Sequence, residues 1–239
     1  LASENGNLEI VKILIDAGAN LEIKDDLGKT ALMHASRHGQ SNIVKNLISA
    51  GANVHATDYH YHYEERWGVG KTPLMYICDS GYITFDDLKT VEILIDAGAN
   101  INAKTKNGGT SLMIASANST PQVVQKLIDA GAEVNARDNN GNTALMSAVT
   151  VRDNPNMVKY LINIGANVND RNHKGQTALM KAARSLHLKA VKQLVANGAD
   201  INITDNNGNT ALDYVERFES KNNRVLLIKA ILKQKIPIN

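Results

Sequence analysis

Asn139-Asn140-Gly141-Asn142-Thr143-Ala144-Leu145-Met146-Ser147-Ala148 is the stretch on which the fold turns. It returns as Gly28-Lys29-Thr30-Ala31-Leu32-Met33-His34-Ala35, Gly70-Lys71-Thr72-Pro73-Leu74-Met75-Tyr76 and Gly109-Thr110-Ser111-Leu112-Met113-Ile114-Ala115. Two later copies are Gly175-Gln176-Thr177-Ala178-Leu179-Met180-Lys181-Ala182 and Gly208-Asn209-Thr210-Ala211-Leu212-Asp213-Tyr214. A second marker, Gly-Ala followed by a polar residue, begins at Gly18, Gly51, Gly98, Gly131, Gly165 and Gly198, with spacings of 33, 47, 33, 34 and 33 residues. Self-similarity at such a period means stacked units, each too small to bury its own apolar face.

Each unit has a readable grammar. Thr143 suits an N-cap, and Pro73 after Thr72 stands where a proline ring presets helical φ without losing a hydrogen bond. A short first helix follows, near residues 144–149. The second helix is clearest at Ile43, Val44, Leu47 and Ile48, the i, i+1, i+4, i+5 stripe of an amphipathic helix. Thr120-Pro121 and Asn154-Pro155 read as two further helix starts. Gly51 fits the left-handed position that ends a helix, and Asp138-Asn139-Asn140-Gly141 predicts a β-hairpin-like turn.

Composition bounds the remainder. Net charge is +2, from 26 Lys and Arg against 24 Asp and Glu, and gives no basic stripe for nucleic acid. No run reaches the ~18 apolar residues of a membrane helix, and no signal peptide is visible. The single cysteine, Cys78, excludes an internal disulfide and a cysteine metal cluster, which fits a cytoplasmic setting. The chain starts at Leu1, partway along a first helix, so secreted or host-directed routing stays open.

Period 33, Thr72-Pro73-Leu74-Met75, the Gly-Ala-Asn ends and the Asp-Asn-Asn-Gly turn together resemble the ankyrin repeat. The resemblance spans essentially the whole chain. It implies an all-α ankyrin-repeat α-solenoid of stacked helix-turn-helix units with β-hairpin-like loops. We expect a single domain, 1–239, with units near 1–24, 25–57, 58–104, 105–137, 138–171, 172–204 and 205–239, the first incomplete and the last a cap. Met33, Met75, Met113, Met146 and Met180 stand where the family prefers histidine, so thioether packing is expected at that joint.

The period fails in three places. Thr30 to Thr72 is nine residues too long, with the excess at 59–67. Five more fall between helices near 81–87, and one near 152–154. The first insertion, Tyr59-His60-Tyr61-His62-Tyr63-Glu64-Glu65-Arg66-Trp67, holds the only tryptophan and three of seven tyrosines. Tyr and Trp are enriched at binding hot spots, so this finger is expected to contact a partner; a longer hairpin packing on itself is the alternative. In a strand, His60, His62 and Glu64 would share one side, a possible Zn²⁺ set lacking a fourth ligand.

Nothing points to catalysis. Gly70-Lys71-Thr72 ends like a phosphate loop, but the earlier glycine that motif needs falls at Glu65. The other histidines, His34 on a first helix and His38, His55, His173 and His187 in connections, read as surface or lightly hydrogen-bonded residues rather than ligands. The resemblance implies a non-catalytic protein-binding scaffold, monomeric, without cofactor. Its variable positions map to Asp26, Leu27, Lys29 and His34, then Lys71 and Tyr76 beside Tyr59, Tyr61, Tyr63 and Trp67. Next come Lys106, Asn107, Gly109 and Ile114, then Asn139, Asn140, Asn142 and Ser147. The last are His173, Lys174, Gln176 and Lys181, with Asn206, Asn207, Asn209 and Tyr214. Two rivals are a small-ligand or metal-binding protein using His60 and His62, and a self-associating module.

Overall fold

The computed structural model describes residues 2–59, 67–81, 84–218 and 222–233, and these are helical or irregular, with no strand among them. Two compact units emerge, Leu1–Glu133 and Val134–Asn239.

The first unit holds α1 (Leu8–Asp16), α2 (Ala31–Arg37), α3 (Ser41–Ser49), α4 (Pro73–Cys78), α5 (Phe85–Asp96), α6 (Ser111–Asn118) and α7 (Pro121–Asp129). Helices α2/α3, α4/α5 and α6/α7 are antiparallel partners of one repeat, and α1 is a second helix. First helices α2, α4 and α6 pack side by side, and so do second helices α1, α3, α5 and α7. The second unit repeats the plan with α8 (Ala144–Val151), α9 (Pro155–Asn163), α10 (Ala178–Arg184), α11 (Leu188–Ala196), α12 (Ala211–Glu216) and α13 (Asn223–Leu232).

The threonine of the repeated stretch explains where each first helix begins. Thr30, Thr72, Thr110, Thr143, Thr177 and Thr210 are all N-caps whose hydroxyls accept the N–H three residues on, at 3.3–3.4 Å. That satisfies one orphan amide per helix and contributes about 1 kcal/mol each. Five of the six donors are the methionines, which are buried between layers as thioether packing requires. The sixth is Asp213, whose carboxylate returns to the Thr210 N–H at 2.7 Å and completes a capping box. Among the second helices, Asn154 caps α9 through the Met157 N–H, whereas Thr120 makes no side-chain cap to α7.

The core is aliphatic and lies between the two helix rows. Ile43, Val44 and Leu47 are buried, with Ile48 at the edge. Their counterparts on α1 fare differently: Ile10 and Leu14 are each 46% exposed, because no first helix covers them among the described residues. Leu14, with Val11, Ile15, Leu21 and Ile23, lines an open groove of about 570 Å³.

The connections are hairpin-like without strands among the described residues. Each ordinary one is a tight turn closed by two backbone bonds, as from the Asp138 N–H to the Asn142 carbonyl at 3.0 Å and from the Gly141 N–H to the Asp138 carbonyl at 2.9 Å. Neighbouring turns are stitched to one another. His173 N–H reaches the Asn140 carbonyl, Asn206 N–H reaches that of Lys174, and Arg137 and Arg171 each donate to carbonyls of the following turn. Asn102, Asn135 and Asn169 add a ladder, each donating to the next Gly-Ala glycine carbonyl and accepting the N–H two residues beyond it.

Candidate functional site: the turn row and the inserted loop

One residue organises each turn, and it comes three before the glycine. Asp25 Oδ1 accepts the N–H groups of Leu27 and Lys29; Asp138 Oδ1 those of Asn140 and Asn142. Asn172 does the same for Lys174 and Gln176, and Asp205 for Asn207 and Asn209. Gly28, Gly108, Gly141, Gly175 and Gly208 complete these turns at positive φ. A Cβ on Gly141 would also stand 2.9 Å from the His173 backbone nitrogen, so only glycine lets adjacent turns come this close.

The carboxylate's second oxygen takes a side chain from the first helix of the same repeat. His34 Nε2 faces Asp25 Oδ2 at 2.7 Å, the Tyr214 hydroxyl donates to Asp205 Oδ2 at 2.6 Å, and the Tyr76 hydroxyl donates to Asp58. Gln176 in turn donates to the Tyr214 hydroxyl at 2.7 Å. Burial works to raise the Asp205 pKa, but hydrogen bonds from Tyr214, Asn209 and Asn207 outweigh it and bring it down to about 2. Asp25 is lowered in the same way, its burial offset by the Lys29 and Leu27 amides and His34.

The insertion is built on this clamp. Asp58 accepts the N–H groups of Gly70 and Lys71, and its own N–H reaches the Lys71 carbonyl at 3.2 Å. An ordinary turn closes from Asp25 to Lys29; here the same closure runs from Asp58 to Lys71, nine residues further apart in the sequence. Trp67 folds back and is 6% exposed against the following turn. A Cβ on Gly109 would lie 2.8 Å from the Trp67 ring, and Gly109 stands where the other repeats carry Lys29, Lys71, Asn142, Gln176 or Asn209. The glycine makes the slot. Beneath the neck, Lys71 is buried with its Nζ 3.0 Å from Asp79, which also accepts from Asn118, and the Tyr76 ring lies under the Lys29 and Lys71 ammonium groups.

Several expectations are therefore corrected. Trp67, Lys71, Tyr76, Ile114 and Tyr214 are interior residues rather than contact residues: their side chains clamp turns or fill the core. His34 and His187 are hydrogen-bonded histidines, the one of the two expected forms that the structure shows: His34 partners Asp25, and His187 Nδ1 meets the Val149 carbonyl at 2.9 Å. Asp26, Tyr59, Lys106, Asn139, Asn140 and Lys174 are exposed, while Leu27, Lys29, Asn107, Asn142 and Lys181 are half-buried. Tyr61, Tyr63, His60, His62 and Glu64 lie outside the described residues. Gly109, expected as a contact position, is the slot for Trp67, and Asp25, Asp58 and Asp205 escaped the sequence reading. Their signal was an Asp, Asn or Thr three residues before each turn glycine, displaced to twelve at Asp58 and Gly70.

Among the described residues no three His, Cys, Asp or Glu side chains gather as a metal site, and no helix is long and apolar enough to cross a membrane. Cys78 is fully buried; burial, then the Asp79 charge, pushes its thiol pKa far up, so it offers no nucleophile.

Stacked helix pairs with clamped, stitched turns define a repeat scaffold whose side-chain diversity is carried at turn tips. The family model for ankyrin repeats (3 copies) matches residues 1–58, 57–138, 83–172 and 151–238, and the chain belongs to the ankyrin-repeat family. The human ASB11 ankyrin repeat domain is similar in structure at TM-score 0.81 and 23% identity, over 99% of this chain and 96% of that one. The ankyrin repeat domain of Bcl-3, a member of the IkappaB protein family, is similar at TM-score 0.69 and 28% identity over 95% of each chain. No curated protein sequence matches the chain. Ankyrin repeat domains are generally protein–protein interaction modules and non-catalytic scaffolds.

Proposed function

We propose that this chain is a non-catalytic, monomeric recognition module that holds its partner with the turn row of the first unit and the loop inserted there. The observation that carries this reading is the closed neck: the sequence between Asp58 and Lys71 is nine residues longer than in an ordinary turn, yet its base keeps the ordinary clamp. A fixed base under a long, tyrosine-rich loop limits the ordering cost of binding. The contact residues are Tyr59, Tyr61 and Tyr63, flanked by Asp26, Leu27 and Lys29 on one side and Lys106 and Asn107 on the other. Lys24 lies 5.0 Å over the Tyr59 ring and orients it. Trp67 and Tyr76 position the loop from below.

The test is affinity capture from a native extract with the intact chain and a Tyr59→Ala/Tyr61→Ala/Tyr63→Ala variant in parallel. Loss of the captured protein with an unchanged melting curve is the expected result. Equal capture by the variant, or equal loss in an Asn140→Ala/Asn207→Ala variant, would sink the reading.

A further inference from the structure

The overall charge of +2 conceals opposite units. The first unit holds 11 Lys and Arg against 16 Asp and Glu, and the second 15 against 8. The difference is concentrated on the second helices. Helices α1, α3, α5 and α7 carry seven acids and four bases. Helices α9, α11 and α13 carry Lys159, Lys189, Lys192, Arg224 and Lys229 and not one acid. These three helices pack side by side, and Lys159 and Lys192 occupy the same repeat position on adjacent ones.

Helix stability does not account for the signs. Lys189 and Arg224 each stand second in their helices, next to the positive end of the macrodipole. Lys159, Lys189 and Arg224 are exposed and Lys192 and Lys229 half-exposed. Two of the described acids beside these helices are otherwise engaged. Asp153 accepts the N–H groups of Lys189 and Ala190 at the start of α11, and Glu216 pairs with Lys233 at 2.9 Å. On α13, beside Arg224 and Lys229 in the chain, Leu226 and Leu227 are 47% and 43% exposed.

We propose that the α9–α11–α13 face is a second docking surface, for an acidic amphipathic segment of another protein. The carboxylates of such a segment meet the lysine row, and its apolar side meets Leu226 and Leu227. This mixture argues for a protein segment over nucleic acid. A phosphate backbone has nothing to offer two leucines, and the only aromatic side chain on these three helices is a single half-buried tyrosine, Tyr160. The surface is independent of the inserted loop and of any partner held there.

The probe is a fluorescent amphipathic peptide of alternating glutamate- and leucine-bearing turns, about 15 residues long so that a helix can form. Duplex DNA of equal net charge is the competitor. Binding by the intact chain should weaken about tenfold between low and physiological salt, as exposed charges are screened. Reversing Lys159→Glu, Lys192→Glu and Lys229→Glu together should cost at least about tenfold more, with the helical signal intact. Arg184→Glu, on the first helix α10, should leave affinity within about twofold. Should the reversals unfold the unit, the three glutamine replacements carry the same expectation at smaller amplitude. The proposal is overturned if the peptide does not bind, if the triple variant binds as well as the intact chain, if Arg184→Glu weakens binding equally, or if the duplex binds more tightly than the peptide.

Discussion

Set the turn of the inserted repeat beside an ordinary one, such as that between Asp205 and Asn209. Both are closed by an aspartate that accepts two amides and a tyrosine hydroxyl. One encloses three residues and the other twelve. Lengthening a closed loop from about 4 to about 13 residues costs only about 1 kcal/mol of closure entropy. Burying an indole, at roughly 150–250 Å² and ~25 cal/mol/Å², contributes about 4 kcal/mol. The Trp67 slot therefore outweighs the length, and the repeat tolerates a long loop because the loop brings its own anchor.

The comparison breaks most visibly at the slot. Gly109→Asn gives this repeat the residue of an ordinary one, and its Cβ meets the Trp67 ring. Unit stability should fall by about 3 kcal/mol, from overpacking and lost indole burial. Since Trp67 is the only tryptophan, a red shift of its emission checks the cause as well as the effect.

Next in size come the clamps. Tyr76→Phe and Tyr214→Phe each remove a hydroxyl held by a carboxylate and should cost about 1.5–3 kcal/mol. Equal losses would mean that the long loop places no extra load on its neck. A larger loss at Tyr76 would mean that the loop pulls on its base. Hydrogen exchange at α4 and α12 separates the two.

The clamp also predicts a pH dependence. Asp205 sits at about 2 in the folded chain, below the ordinary 3.8. A depressed carboxyl contributes stability that is fully present above its unfolded value and is lost as pH falls from about 4 through about 2. That contribution is about 2 kcal/mol. Acid titration of α12 exchange should show the loss, and Tyr214→Phe should shift it to higher pH and shrink it. The smallest effect lies away from the turns. The Thr90 hydroxyl is buried without a partner on α5, so Thr90→Val should change stability by less than about 1 kcal/mol, in the stabilising direction.

Much of this molecule could be read before it was seen. The Thr-Ala-Leu-Met stretch carries its helix cap, its core knobs and its period together, because local capping and layer packing need the same residues in each copy. The tyrosines at 76 and 214 were misread for the same reason. A position that faces outward in a generic repeat turns inward when an aspartate nine residues upstream, or eighteen with the insertion, offers it a carboxylate. Pattern within one repeat cannot reveal that pairing. Trp67 and Gly109 were harder still, since the contact joins an insertion to the turn of the following repeat and neither residue is unusual alone. The charge division between the units was in the sequence, hidden by averaging over both.

The closed neck makes the turn a portable socket. A loop's two ends leave Asp58 and rejoin at Lys71 as closely as Asp138 and Asn142 do, so the helices beneath meet a closure of ordinary width. Moving the nine-residue segment into the turn at Asp138 then calls for Gln176→Gly, to open an indole slot in the turn that follows, and Ser147→Tyr, to supply the hydroxyl that Tyr76 gives Asp58. The glycine also removes a donor from the Tyr214 hydroxyl, so relocation loosens the next clamp as it builds the new one.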